Sequence, residues 1–124
     1  MAYMLKLPFF TDVRGRLTPI EILPFDIKRL YYICQIANDA DRGGHYHKLT
    51  TEAIFCVNGS FTVTINNGKT REDFYLNDHT QCLIVEPDDW HIIHNFSMGA
   101  ILMGAASTVY DHADYYIEEP TLEQ

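Results

Sequence analysis

The chain has few basic side chains and no long apolar run. Lysine and arginine number 9 against 17 aspartate and glutamate residues, which gives a formal net charge of -8 at pH 7. Such a surface repels polyanions, so broad binding to nucleic acid or to an anionic membrane is not expected. No segment reaches the roughly 20 apolar residues of a membrane span, and the opening MAYMLKLPFF lacks a signal-peptide cleavage site. We therefore expect a soluble, cytoplasmic protein.

Cysteine is also scarce. Cys34, Cys56 and Cys82 stand singly within apolar runs, and none belongs to a Cys-x-x-Cys pair. This spacing predicts reduced thiols in the core rather than a disulfide framework.

What the sequence does contain is a repeated strand pattern. Short segments rich in Val, Ile, Thr, Tyr and Phe alternate with turn residues, and no segment has a convincing helical period. With 47% hydrophobic residues, the chain can fill one core, so we expect a single all-β domain over residues 1–124. Many short strands with edges to hide indicate a jelly-roll or barrel, often paired with a second copy. The strand candidates are residues 17–21, 29–37, 53–57, 60–65, 69–76, 81–85, 91–95 and 100–105.

Two local signals are more specific. Phe61, Val63 and Ile65 alternate with polar residues, and Asn67-Gly68 supplies the positive φ of a tight hairpin turn. The best helix candidate is a short one at residues 111–115, with Asp111 as its cap.

The stretch DRGGHYHKLTTEAIFCVNGS contains His45, His47 and Glu52, and a later strand opens with His91 after Pro87. Alternate residues of a strand point to the same face, so His45 and His47 should project together. The pattern resembles the two signature motifs of the cupin superfamily. In metal-binding cupins the matching positions ligate an ion, so His45, His47, Glu52 and His91 form a candidate set for Zn, Fe, Mn or Ni.

Almost the whole chain, from Phe10 to about Glu118, resembles the WxcM-like sugar-nucleotide 3,4-ketoisomerases that act on dTDP-4-keto-6-deoxyglucose. Six stretches carry the resemblance: FTDVRGRLTPIE, LPFDIKRLYYI, RGGHYHK, VNGSFTVTINNG, PDDWHIIHNFS and AASTVYDHADYYI. The resemblance implies a cupin jelly-roll, usually a homodimer that exchanges N-terminal strands. It also implies an enzyme that moves a sugar carbonyl from C4 to C3 without a metal or other cofactor.

The residues fit that chemistry. Hydrogen on C3 is α to the carbonyl, so a base can remove it to give an enediol that is reprotonated at C4. Histidine titrates near neutral pH and can serve at both ends. The family's catalytic histidines match His45 and His47; we assign His47 as the C3 base and His45 to the C4 side. Tyr31, on the same strand face as Arg29, is a candidate to hydrogen-bond the enolate oxygen.

The substrate's diphosphate needs a local basic pocket on an acidic protein. Arg14, Arg29, Arg42 and Lys48 all lie inside the matching stretches and are the candidates, with Arg29 and Arg42 preferred. Trp90 is expected to be buried, and His79, His94 and His112 to be structural or on the surface. For Tyr110, Asp114 and Tyr115, capping and packing of the last turn is the favoured interpretation.

Two positions depart from the family pattern. Tyr46 replaces a small residue and should point away from the histidine pair. Glu52 stands where the family has glutamine, so it either completes a metal site or raises the pKa of His45 or His47 as an ion-pair partner. Two alternatives to the isomerase therefore stay open. One is a metal-dependent cupin enzyme, either an oxygenase or an isomerase, and the other is a non-catalytic module that binds sugar nucleotides.

Overall fold

The computed structural model describes residues 1–37 and 39–123, which form short strands and one 3₁₀ turn at His112–Asp114. None of the described residues forms a helix long and apolar enough to cross a membrane. The strands are β1 (Tyr3–Lys6), β2 (Phe10–Asp12), β3 (Gly15–Leu17), β4 (Arg29–Ile33), β5 (Arg42–His45), β6 (Glu52–Asn58), β7 (Phe61–Asn66), β8 (Arg71–Leu76), β9 (Gln81–Val85), β10 (Trp90–His94) and β11 (Ile101–Ala106).

The strands form two main antiparallel sheets. One has the order β1-β9-β6-β11-β4 and the other the order β5-β10-β7-β8, while β2 and β3 pair only with each other among the residues that the structure describes. The prediction of an all-β fold is confirmed.

The main core lies where the two sheets face each other. Ile54 and Leu83 of the five-stranded sheet pack in one cluster with Phe61, Val63 and Ile65 of β7. A second cluster covers the outer face of the five-stranded sheet and draws in partly buried side chains from the segment that follows β3. Because both of its faces are covered, β9 is apolar and buried along almost its whole length.

The hairpin between β7 and β8 follows the predicted turn chemistry. Gly68 has a φ of 88°, and the Asn67 side chain accepts hydrogen bonds from the backbone N–H groups of Lys69 and Thr70 at 2.9 and 2.8 Å. The predicted cap is also present, since Asp111 accepts from the Ala113 N–H at 3.0 Å.

The strand predictions fail near the N-terminus. Of residues 17–21 only Leu17 lies in a strand, because Pro19 has no N–H to contribute to a ladder. The candidate at 29–37 ends at Ile33, and Gln35 takes a φ of 56° that turns the chain. The strands β1 and β2 were not predicted. The other candidates, from residue 53 onward, match β6 to β11 to within two residues.

The prediction of core thiols is wrong for Cys34. This residue follows β4, an outer strand of its sheet, and its side chain is exposed, whereas Cys56 and Cys82 are buried as expected.

Candidate active site

A cavity of about 390 Å³ opens between the two sheets. This volume lies in the range of roughly 300–1,000 Å³ that small-molecule sites occupy. Strands β4 and β6 supply one wall, and β5 and β10 supply the other. The predicted site residues that line it are Arg29, Tyr31, Arg42, His45, Glu52 and His91.

Two consecutive glycines bring β5 close to β10. Gly43 and Gly44 have φ values of 80° and 76°, and a Cβ on Gly43 would lie 2.9 Å from the carbonyl oxygen of His91. This approach sets His45 opposite His91 in the ladder, with their ring centroids 4.8 Å apart.

His47 lies beside His45, as the strand alternation predicts, but behind the cavity wall. The two ring centroids are 4.8 Å apart, and the His47 side chain is only 3% exposed. Its Nδ1–H donates to the backbone carbonyl of Asp114 at 2.9 Å. That bond leaves the Nε2 lone pair free, and Nε2 has no hydrogen-bond partner among the described residues.

Glu52 connects the histidines. One carboxylate oxygen lies 3.8 Å from Nε2 of His47, and the other lies 3.8 Å from Nε2 of His91. His91 donates from Nδ1 to the carbonyl of Asp89 at 3.1 Å, so its Nε2 also presents a lone pair. The two rings are therefore fixed in the same tautomer, both directed toward Glu52.

These donors have the chemistry of a transition-metal site. The ligand atoms of His45, His47 and His91 lie within 4.8 Å of one another, and Glu52 adds a carboxylate. Zinc–nitrogen and zinc–oxygen bonds are about 2.0–2.2 Å long, so donors 3.8 Å apart would need to approach by a few tenths of an ångström to share one ion. The three histidines, with Glu52 beside them, thus offer donors of the right type for a divalent cation, although the histidine donors would have to draw closer together to share one ion.

Burial controls the protonation of the cluster. It lowers the pKa of His45 to about 4, helped by the neighbouring imidazoles of His91 and His47, and it lowers the pKa of His91 to about 4. Burial also raises the pKa of Glu52, although His47, His45 and Arg29 oppose the shift. The expected rise in the pKa of His45 does not occur, because burial outweighs the carboxylate. Both rings on the cavity wall are neutral at pH 7.

Tyr31 and Arg29 share a face of β4, as predicted. The Arg29 guanidinium lies 5.0 Å from the centre of the Tyr31 ring. The Tyr31 ring packs directly on β11, where a Cβ on Gly104 would come within 2.1 Å of it. Burial, followed by the charge of Glu52, raises the pKa of Tyr31, so the phenol keeps its proton.

The other two basic candidates lie elsewhere in this chain. Arg14 is exposed in the turn between β2 and β3, where it pairs with Asp12. Lys48 lies on the outer surface, with its Nζ 4.7 Å from the centre of the Tyr116 ring. Of the four predicted phosphate ligands, Arg29 and Arg42 reach the cavity.

The segment from Tyr110 to Tyr116 contributes more than the packing expected from the sequence. Tyr110 and Tyr115 line the cavity, and the Tyr115 ring lies 4.7 and 4.6 Å from the rings of His45 and His47. Arg29 donates to the Tyr115 hydroxyl at 3.1 Å. The resemblance of this segment to the family pattern was the available signal for this role.

Three smaller expectations can be compared with the structure. Tyr46 points away from the histidines and stacks on Tyr116, with ring centres 5.2 Å apart. Trp90 is buried, as predicted. Thr18 bonds His79 and Thr64 bonds His94, so these two rings are structural.

Known proteins resemble this chain over nearly its whole length. Residues 2–122 match the family model FdtA, described as WxcM-like, C-terminal. The chain is 38% identical over 107 residues to the TDP-4-oxo-6-deoxy-alpha-D-glucose-3,4-oxoisomerase of Aneurinibacillus thermoaerophilus, covering 84% of this chain and 77% of that protein.

Two crystal structures of QdtA, a sugar 3,4-ketoisomerase from Thermoanaerobacterium thermosaccharolyticum, are also similar. The complex with TDP has a TM-score of 0.91 and 36% identity, covering 94% of this chain and 88% of that one. A histidine-to-asparagine mutant in complex with TDP-4-keto-6-deoxyglucose has a TM-score of 0.91 and 35% identity, covering 94% and 87%.

Proposed function

This chain belongs to the WxcM-like family, and on that basis we propose that it is a 3,4-ketoisomerase of TDP-4-keto-6-deoxyglucose or a similar nucleotide sugar. The enzyme moves the carbonyl group from C4 to C3 of the hexose. The observation that carries the proposal is the histidine cluster at the wall of a cavity of sugar-binding size, within a chain of which 94% matches a 3,4-ketoisomerase structure.

The reaction needs one base and one acid on adjacent carbons. His47 takes the proton from C3 through its free Nε2, and the electron pair forms the C3–C4 double bond of an enediol. The C4 carbonyl oxygen becomes the enolate oxygen, and it takes the proton of the C3 hydroxyl as the C3 carbonyl forms. The proton held by His47 passes to the neighbouring ring of His45, which delivers it to C4 and returns to its neutral form. Positioned acid and base groups of this kind contribute about 10² to 10⁴ in rate.

The sugar can reach Nε2 of His47 only if substrate binding opens a path to this buried ring. The ring is buried against Tyr115, which itself lines the cavity. Catalytic contacts are often long in a ligand-free protein and tighten when substrate binds. A small shift of the Tyr115 ring would bring the sugar to Nε2.

Tyr31 stabilises the negative charge that develops on the enolate oxygen. Its raised pKa keeps the phenol protonated, so it can donate a hydrogen bond to that oxygen. Arg29 and Arg42 are the charged partners for the diphosphate, because both line the cavity and guanidinium groups bind phosphate in a bidentate manner.

We further propose a cupin jelly-roll homodimer with exchanged N-terminal strands. The hairpin of β2 and β3 supports this, because it pairs with no other strand in the described part of the chain and leaves Phe10 and Leu17 largely exposed. Seating it on a second copy would cover those side chains and would carry Arg14 to the partner. Light scattering should give the mass of two chains; the mass of one chain would contradict the proposal.

One observation favours the alternative of a metal-dependent enzyme. Nε2 of His47 and Nε2 of His91 both present free lone pairs to Glu52, as in a site built for a cation. A bound divalent ion would act as a Lewis acid toward the carbonyl oxygen. His45, His47, His91 and Glu52 would hold it.

One experiment distinguishes the proposed isomerase from a metal-dependent enzyme and from a non-catalytic binding module. Protein stripped with a chelator is incubated with TDP-4-keto-6-deoxyglucose, and NMR identifies the sugar product. Formation of the 3-keto isomer at the rate of untreated protein supports the proposed isomerase. Activity that disappears with the metal and returns with added Zn²⁺, Mn²⁺, Ni²⁺ or Fe²⁺ supports the metal enzyme. Substrate binding without turnover in any sample supports a binding module.

A further inference from the structure

Asp114 connects the end of the chain to the loop that follows His47. It is a buried residue, 6% exposed, and its carboxylate accepts hydrogen bonds from the backbone N–H groups of Lys48 and Leu49 at 3.0 and 3.1 Å. It also accepts from the Thr50 hydroxyl at 2.7 Å. One side chain therefore ties down three consecutive residues next to His47.

The backbone of Asp114 holds the histidine ring itself. Its carbonyl oxygen accepts the His47 Nδ1–H at 2.9 Å, across 67 residues of sequence. A carbonyl can only accept, so this bond requires the proton on Nδ1 and leaves Nε2 as the basic nitrogen. The ring has no second hydrogen bond among the described residues to hold it in place.

Neighbouring contacts keep Asp114 in register with His47. Tyr46 and Tyr116 exchange two backbone hydrogen bonds at 2.8 and 3.0 Å, which joins the two segments as a short antiparallel bridge. His47 and Asp114 thus lie on two segments that are tied on both sides of the Nδ1 contact.

We propose that Asp114 is a positioning residue for His47, which holds the ring and its tautomer so that Nε2 is available as the C3 base. The inference rests on the proposed function and deepens it. Asp114 acts through His47, since its own carboxylate is occupied by the loop and it does not line the cavity.

Catalysis depends on this geometry for two reasons. With the proton on Nε2 the ring presents an N–H to C3 and has no lone pair with which to take the hydrogen. A ring displaced by about 1 Å also loses rate, by as much as 10²-fold, even when substrate binding is unchanged. Loss of the anchor should therefore lower kcat far more than it changes KM.

Two substitutions at this position and one matched control test the inference in the full-length protein. Asp114→Ala removes every side-chain acceptor, whereas Asp114→Asn keeps an oxygen for the Lys48 and Leu49 amides and an NH₂ group for the Thr50 oxygen. Asp111→Ala is the control, because Asp111 caps the same 3₁₀ turn but bonds only within it.

We expect Asp114→Ala to lower kcat by about 10- to 100-fold with a KM within threefold of wild type. Asp114→Asn should recover most of the rate, and Asp111→Ala should stay within twofold. In ¹⁵N NMR spectra, His47 should be the Nδ1–H tautomer in wild type and a mixture in Asp114→Ala, which reports on the ring independently of turnover.

An Asp114→Ala protein that keeps its kcat within twofold and the wild-type tautomer would overturn the inference. So would equal losses in Asp114→Ala and Asp111→Ala, since these would reflect the turn rather than the ring. Both outcomes require an active wild-type enzyme; a wild type without ketoisomerase activity would instead contradict the proposed function.

Discussion

Two of the three clustered histidines have the same contacts at their ring nitrogens, and the third differs. His47 and His91 donate from Nδ1 to backbone carbonyls and direct Nε2 toward Glu52, whereas His45 faces the cavity and packs against Tyr115. His45 and His91 are neutral rings at pH 7, and the carboxylate of Glu52 beside them has its charge opposed by burial. Because their surroundings differ, substitutions of the histidines and of Glu52 should change stability and activity in different ways.

Replacing Glu52 by glutamine should stabilise the protein at high pH. Burial raises the pKa of Glu52, so the folded state holds this proton more tightly than the unfolded state. The stabilisation is complete below the unfolded pKa near 4.5 and is lost as pH rises through the folded pKa. Glu52→Gln removes this loss, and denaturant unfolding at pH 8 should give a gain of about 0.5–2 kcal/mol.

The gain in unfolding free energy from Glu52→Gln should be smaller at pH 5 than at pH 8. The control is Glu72→Gln, which changes an exposed carboxylate on β8 and should leave the unfolding free energy unchanged. A Glu52→Gln protein that is less stable than wild type at pH 8 would mean that the carboxylate makes stabilising contacts that outweigh its burial.

The sequence indicates part of this site and misses the rest for a physical reason. Strand alternation places His45 and His47 on one face, and the resemblance to the cupin motifs adds Glu52 and His91 to the set. The contact of Asp114 with His47 joins residues 67 positions apart, and no local period encodes it. Spacing also does not tell which surface a basic side chain reaches, as Lys48 illustrates.

At the scale of secondary-structure elements, the site depends on how closely β5 approaches β10. Strands with alternating or continuous apolar residues are predictable, which is why β6 to β11 match their predictions. The strand β2 has only three residues, all exposed, and packs against no core in this chain, so no apolar pattern marks it. The close approach of Gly43 to β10 also leaves no apolar pattern in the sequence, because it is a tertiary contact.

Gly43→Ala should damage the site more than Gly44→Ala. Both glycines have positive φ, so alanine strains the backbone at either position. Only at Gly43 does the added Cβ meet another strand, 2.9 Å from the His91 carbonyl oxygen, while at Gly44 nothing lies within 4 Å. We expect Gly43→Ala to be less stable than Gly44→Ala by about 1–3 kcal/mol and to lose more activity.

Thermal unfolding and initial rates on the two variants give this comparison directly. Equal stabilities would indicate that β5 can move away from β10 without cost, and that the glycine pair does not fix the separation of His45 and His91.

At the scale of the whole molecule, neutral histidines on the cavity wall make stability depend on pH. The pKa values of His45 and His91 are lowered to about 4 from the ordinary histidine value of 6.5. Between these values the unfolded chain binds protons that the folded chain does not, so stability falls as pH decreases from about 6.5 to about 4. The raised pKa of Glu52 has the opposite effect, because the folded chain binds that proton more tightly than the unfolded chain, and it offsets part of the loss of stability.

The Tm of His91→Asn should therefore fall less than that of wild type as the pH is lowered over the same range. Calorimetry at half-unit steps measures the two slopes, and His79→Asn, at a ring outside the cluster, should follow the wild-type curve. Parallel curves for His91→Asn and wild type would contradict the burial of an uncharged His91.

The central claim is that His45 and His47 carry a proton between adjacent carbons of a keto sugar. The most direct test is incubation of wild type and His47→Asn with TDP-4-keto-6-deoxyglucose in deuterium oxide, followed by NMR of the sugar. Wild type should give the 3-keto isomer, with deuterium at C4 to the extent that the histidines exchange their proton with solvent, and His47→Asn should give neither product nor exchange at C3 while still binding the nucleotide sugar. Turnover by His47→Asn at the wild-type rate would contradict the account.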